Sequence, residues 1–231
     1  MWAMATKKAL KKALVPKLRK TDPDPRLVRL FANETAKADL RRAAIIQVAI
    51  RIISEEGLER LSFDRIGKAV GIAKSHVVYY FDQKEAILAK CIEYSTIVGQ
   101  SFVVPAVSAA SAGARRLEAY VEGNFEWIKT HPEQAKVFIL FIANCSRSPE
   151  LAELYQQIRE TSNSRIAAIL EEMGWKDSPK RDRIALAILD LITGSIIALM
   201  ALNPKDFTKA WAKHRESVIK ACGELAAKTG S

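Results

Sequence analysis

Glycine and proline are scarce, ten and eight in 231 residues. With so few turn formers a many-stranded sheet is excluded, and the chain reads as mostly helical. Cysteine is scarcer still. Cys91, Cys145 and Cys222 lie far apart without metal-ligand spacing, and their odd count argues against a disulfide framework. Reduced thiols in the cytoplasm are the expectation. Residues 1–20 are lysine-rich and lack the apolar run and small-residue cleavage site of a secretory signal. The longest apolar stretch, Ala185 to Leu202, is interrupted by Asp190, Thr193, Gly194 and Ser195. An ionisable residue is costly inside a bilayer, so a buried helix is expected there and no membrane partner. The three histidines, His76, His131 and His214, stand in unrelated contexts, and there is no glycine-rich phosphate loop, nucleophile elbow or metal-ligand cluster. An enzyme, a metal site and a bound cofactor are therefore not expected.

What the sequence has is positive charge. Lys and Arg number 36 against 26 Asp and Glu, a net +10 and a pI near 9.6, which favours a polyanionic partner. The excess is uneven. Residues 1–36 hold nine basic side chains against Asp22, Asp24 and Glu34, whereas the rest of the chain is close to balanced. Pro16, Pro23 and Pro25 interrupt any long helix in that arm, which reads as flexible with one short amphipathic turn around Ala9 to Val15. It serves either as a phosphate-seeking tail or as a solvated extension without a specific partner.

From Ala36 to Glu56, Ile45, Val48, Ala49, Ile52 and Ile53 recur at i, i+3, i+4, i+7 and i+8, the stripe of an amphipathic helix that Gly57 ends. Ser62 is a good N-cap for a short helix whose inner face is Phe63, Ile66 and Val70, and Gly71 breaks it. After a short turn, Lys74 to Phe81 forms a third helix with Val77 and Phe81 inward and Ser75, His76, Tyr79 and Tyr80 on the other side. A short helix pinned by two apolar residues behind a glycine turn has the plan of a helix-turn-helix DNA reader, although an ordinary surface helical hairpin shares that spacing.

The full string separates the two. LSFDRIGKAVGIAKSHVVYYFDQKEAIL, residues 61–88, resembles the TetR family of bacterial transcription regulators, and IIQVAIRIISEEG, residues 45–57, is similar to that family's opening. Cap, turn and aromatic end match at Ser62, at Val70 to Lys74, and at Tyr79, Tyr80, Phe81, Lys84 and Glu85. Three positions depart: Gly67 replaces the usual Ala, Ser75 a Gly, and Val78 a Tyr that often contacts phosphate. The phrase LEAYVEGNF, residues 117–125, and the run into Pro149 and Leu151 resemble the betaine-synthesis repressor branch of that family.

The resemblance implies an all-α fold of about nine helices. A basic arm (1–35) precedes a three-helix DNA-binding domain (36–94) and a helical bundle for ligand binding and dimerisation (95–231). The bundle helices are expected over residues 83–104, 112–130, 132–145, 148–173, 178–202 and 207–228, with Asn203 and Pro204 ending the fifth of these six. The last two form the homodimer interface by that resemblance. The function implied is a ligand-responsive regulator, a repressor that binds a palindromic double-stranded DNA operator. Base edges would be met by Ala73, Ser75, His76 and Tyr79, and phosphates by Ser62, Lys74, Tyr80 and Lys84, with Arg41 and Arg42 as further phosphate candidates. Aromatic and soft side chains that could line an effector pocket are Phe102, Tyr120, Phe125, Phe138, Phe141, Cys145, Tyr155 and Trp175, each of which suits ordinary core packing equally. The rival reading is a helical scaffold or membrane-surface protein whose basic arm binds anionic lipid.

Overall fold

In the computed structural model, residues 23–31, 36–202 and 204–227 are described, and among them every regular element is helical. Ten α-helices follow in order: α1 (Pro25–Arg29), α2 (Ala36–Glu56), α3 (Phe63–Val70), α4 (Lys74–Tyr80), α5 (Lys84–Ala109), α6 (Ala114–Thr130), α7 (Pro132–Asn144), α8 (Pro149–Glu172), α9 (Ser178–Met200) and α10 (Pro204–Ala227).

Helix α2 is the hub. Its apolar stripe is wider than the spacing suggested, with Ile46 and Ile50 buried alongside Ile45, Val48, Ala49, Ile52 and Ile53. The reason is its neighbours, since it packs on α1, α3, α5 and α7 at once and has little face left for solvent. Gly57 follows with φ +92°, a backbone state that side-chain-bearing residues rarely adopt.

Helix α5 was expected to stop near Val104 but runs through Pro105 to Ala109. Proline removes one backbone donor and costs about 3 kcal/mol inside a helix. Tertiary packing offsets that cost, because α5 lies along α6 with Val103 buried between them. The approach there is very close. A Cβ on Gly123 of α6 would stand 2.7 Å from the Cα of Val103, so only glycine fits.

Helix α8 starts as expected, with Ser148 Oγ accepting from the Leu151 amide at 3.3 Å and Pro149 in the first turn. At α9 the cap is Asp177, whose carboxylate accepts from the Lys180 amide at 3.2 Å, and Ser178 is already helical. Pro204, expected to terminate a helix, instead opens α10, where its missing N–H costs nothing.

The arm also differs from expectation over its last stretch. Asp24 caps α1, Leu27 is fully buried, and α1 packs on both α2 and α5. The expected turn around Ala9 to Val15 lies outside the described residues.

Helices α5 and α9 are each long and apolar enough to cross a membrane by length and composition alone. Here α9 packs on α8 and α10, burying Ala185, Ile188, Leu189, Ile192, Ile196 and Leu199. Its opposite side is left uncovered, with Leu186 and Ile197 exposed and Gly194 beside open space.

Candidate nucleic-acid interface and ligand cavity

The hairpin of α3 and α4 is built from local signals. Ser62 Oγ accepts from the Arg65 amide at 3.3 Å, opening α3. Gly71 closes it in the left-handed region at φ +79°, and the amides of Gly71 and Ile72 both donate to the Gly67 carbonyl at 2.8 and 2.9 Å. The turn presses on Gly67, where a Cβ would fall 2.7 Å from the Ile72 carbonyl oxygen.

Two residues hold α4 inward. Val77 is fully buried, and Phe81 is nearly so, with Phe31 edge-on to it at 6.2 Å between centroids. Phe31 therefore ties the end of the arm to the end of α4. The outer side of α4 carries Lys74, Ser75, His76, Val78 and Tyr79, all exposed, with Tyr79 at 80%. Ala73 and Lys84 flank that face and are also exposed.

The remaining DNA candidates are half-buried. Ser62 spends its hydroxyl on capping. Tyr80 stands edge-on to Tyr79 at 5.3 Å, and the Arg42 guanidinium lies over its ring at 5.4 Å. Arg41 of α2 is half-buried. Flanking charges are paired locally, Arg65 with Glu56 and Lys68 with Asp64 at 2.6 Å.

A polar clip links this region to the bundle. The Tyr94 hydroxyl of α5 donates to Asp24 at 2.9 Å, Arg26 Nη2 donates to the same carboxylate at 2.7 Å, and Arg26 Nη1 donates to Ser101 Oγ of α5 at 3.0 Å. The guanidinium beside Asp24 holds its carboxyl at about 2, below the ordinary 3.8, despite partial burial. Burial pushes the Tyr94 hydroxyl up. Sequence reasoning missed the clip, although Asp24 followed by Pro25 is the same cap-and-proline signal that marked Ser148 and Pro149.

The bundle holds a cavity of about 90 Å³ among α5, α6, α7, α8 and α9. Of the eight aromatic and soft residues singled out, Tyr120, Phe138 and Tyr155 line it. Five do not. Phe125 is fully buried, its carbonyl accepting from Trp211 Nε1 at 3.0 Å. Phe141 stands behind the wall, against the rings of Phe138 and Tyr155. Trp175 is buried and donates to the Ala226 carbonyl at 2.9 Å. Phe102 lies edge-on to His131, and the Cys145 thiol donates to the Phe141 carbonyl at 3.3 Å. Residue type cannot separate wall from core, because both favour large apolar side chains.

Missed wall residues include Trp127, Gln100, Asn124 and Arg159. Trp127 Nε1 donates to the buried Gln134 amide at 2.9 Å, fixing the ring. Burial raises the Tyr120 hydroxyl, which Ser162 and Asn124 partner. Burial also pushes the Cys222 thiol up to about 12 and the Cys91 thiol up, so neither is a thiolate at neutral pH. Among the described residues no three His, Cys, Asp or Glu side chains are grouped to hold a metal ion.

A capped helix, a left-handed glycine turn and a short helix with an exposed polar face, joined to a helical bundle, define a helix-turn-helix DNA-binding regulator. Residues 45–91 match the N-terminal model of the bacterial regulatory proteins of the TetR family, and residues 113–218 match the C-terminal model of BetI-type transcriptional repressors. The chain belongs to the TetR family.

Its curated relatives include the HTH-type transcriptional regulator BetI of Rhizobium meliloti (strain 1021), 25% identical over 50% of this chain and 57% of that protein. The BetI of Proteus mirabilis is 24% identical over 75% of this chain and 86% of its own length. The chain thus spans little more than half the length of the first relatives it matches. Among solved structures, a transcriptional regulator from Saccharomonospora viridis in complex with choline superposes with TM-score 0.66 at 18% identity, over 78% of this chain and 95% of that one. AibR in complex with isovaleryl coenzyme A and operator DNA superposes with TM-score 0.62 at 16% identity, over 78% and 97%. These two likenesses show the fold. The relatives are transcription regulators, not enzymes.

Proposed function

We propose that this regulator is a cytoplasmic homodimeric repressor that binds a near-palindromic operator and is released by a small effector held in the cavity of the bundle. The observation that carries the reading is the outer face of α4. Ala73, Ser75, His76 and Tyr79 stand together in solvent while Val77 and Phe81 anchor the helix from behind. A major groove admits such a helix, and these side chains offer a methyl, a hydroxyl, an imidazole and a phenol to base edges. Lys74, Lys84 and Tyr80 serve the phosphates, with Ser62, Arg41 and Arg42 behind them, and the basic arm adds a salt-sensitive grip. The working division is an arm over residues 1–35, a DNA-binding domain over 36–94 and a regulatory domain over 95–231.

The uncovered side of α9 supports the dimer. Leu186, Gly194 and Ile197 fall on one face at helical spacing, leaving apolar surface for a second copy against α9 and α10. Two copies of α4 would then read half-sites about one helical turn, roughly 34–36 Å, or more apart.

Coupling has a short route. Phe138, Ile139 and Ile142 of the cavity wall are on α7, which packs directly on α2 of the DNA-binding domain. An effector that favours a different seat for α7 shifts α2, and with it α3 and α4, so ligand and operator weaken each other reciprocally. Selection of bound fragments from a genomic library tests the function. Enrichment of one inverted repeat supports it, and binding equally strong to scrambled duplex and to anionic vesicles contradicts it.

A further inference from the structure

We propose that the cavity takes a compact amphipathic carboxylate, with a branched apolar body and one acidic head, in preference to a quaternary ammonium. The inference deepens the effector reading above and rests on it. The apolar body has its place against Trp127, Phe138, Ile142 and Ile192. The head is chosen by charge. Among the described residues lining the cavity, Arg159 is the one ionised side chain, and the lining includes neither Asp nor Glu.

Arg159 is only partly engaged. Its Nη1 donates to Asp190 at 2.7 Å and to the Tyr155 hydroxyl at 3.4 Å. Among the described residues, Nε and Nη2 make no hydrogen bond, which leaves one edge of the guanidinium fork for a bidentate carboxylate. Asp190, outside the cavity wall, pairs with Nη1 and offsets part of that charge, which leaves the Nε–Nη2 edge as the donor pair the wall still offers.

A second guanidinium stands behind the wall, where Arg165 donates to Gln100 Oε1. Asn124, whose Nδ2 donates to the Tyr120 carbonyl at 2.8 Å, and the hydroxyls of Ser162 and Tyr120 are neutral and add no net charge.

The four wall rings, Tyr120, Trp127, Phe138 and Tyr155, resemble a cage for a methylated cation. The cage is compromised on two sides. The Arg159 guanidinium is already 5.6 Å from the Tyr155 ring centroid, and Trp127 is engaged edge-on with Phe138. A ligand cation would sit beside the Arg159 guanidinium with no carboxylate on the wall itself to receive it, and like charges repel. The choline of the S. viridis structure therefore does not carry over to this wall.

Three probes of one shape and different charge test this on the full-length chain by calorimetry: 3,3-dimethylbutyrate, 3,3-dimethyl-1-butanol and choline. The expected order is acid first, by about tenfold over the neutral alcohol as one charge-assisted bidentate pair warrants, with choline last. Arg159→Gln is expected to erase the acid's advantage while leaving the alcohol's affinity within twofold. Arg159→Lys, which keeps the charge but loses the fork, is expected to retain only part of it. Choline binding as tightly as the acid, no binding by any probe, or an acid-to-alcohol ratio unchanged in Arg159→Gln would overturn the proposal. Duplex binding measured with the same probes separates the two readings. Acid that binds without loosening the duplex upholds the ligand class and sinks the effector role, whereas choline that binds and releases the duplex does the reverse.

Discussion

Replacing Asp24 by Asn tests whether the clip between α1 and α5 is an electrostatic strut. The amide keeps the shape, can still cap α1 and can still accept from Tyr94, so the change removes charge and little else. The carboxyl is lowered from 3.8 to about 2, principally by its hydrogen bonds from Arg26. At about 1.4 kcal/mol per pKa unit that corresponds to roughly 2.5 kcal/mol, and the quarter of the side chain left exposed reduces it to about 1–2 kcal/mol. The sign follows from the direction. A carboxylate lowered on folding stabilises the protein fully above its unfolded value, and that stabilisation fades as the pH falls from about 5 toward 2. Urea unfolding of both proteins, followed by far-ultraviolet circular dichroism between pH 7 and pH 2.5, measures the difference. The variant is expected to be less stable by about 1–2 kcal/mol at pH 7, with the difference shrinking to about a third of that by pH 2.5. A difference that stays constant across that range would refute the electrostatic account, since only an ionising group produces convergence.

Three further outcomes follow from the same geometry. Lys84→Ala is expected to weaken binding to every duplex alike and to lower the salt slope by about one, measured by fluorescence anisotropy from low to moderate salt. Leu186→Glu with Ile197→Glu places charge on the uncovered face of α9 and is expected to shift the sedimentation profile to monomer without loss of helical content. Gly123→Val drives a side chain into the Val103 backbone and is expected to cost about 2–3 kcal/mol in urea unfolding.

What was legible in the sequence was what short-range chemistry decides. Ser62, Gly71, Val77 and Phe81 lie within twenty residues, and each has a local job that residue type reveals, so the hairpin of α3 and α4 could be drawn with its exposed face before any coordinates. The same logic read Ser148 and Pro149 correctly but was not applied to Asp24 and Pro25, because a basic, proline-bearing arm suggested flexibility. The burial of Leu27 and the hydrogen bonds from Tyr94 to Asp24 and from Arg26 to Ser101 overrule that over residues 23–31, and Tyr94 and Ser101 lie about seventy residues away in sequence. Pro204 misled in the opposite sense, since proline next to a helix marks a beginning as readily as an end.

The cavity was the least legible part. Tyr120, Phe138 and Tyr155 line it, while Phe125, Phe141 and Trp175 belong to the core, and nothing in ring chemistry distinguishes the two groups. Arg159 was overlooked for the converse reason. A charged residue on a long helix reads as solvated surface, and only the meeting of α8 with α6 and α9 places it at a cavity wall.

Fragment selection carried out in parallel with the parent protein and with His76→Ala tests operator choice by α4. The parent is expected to enrich one inverted repeat, and the variant, still dimeric and helical, to bind duplex with a similar salt slope but to enrich an altered or relaxed half-site. Identical enriched sequences from both proteins would contradict that role for α4.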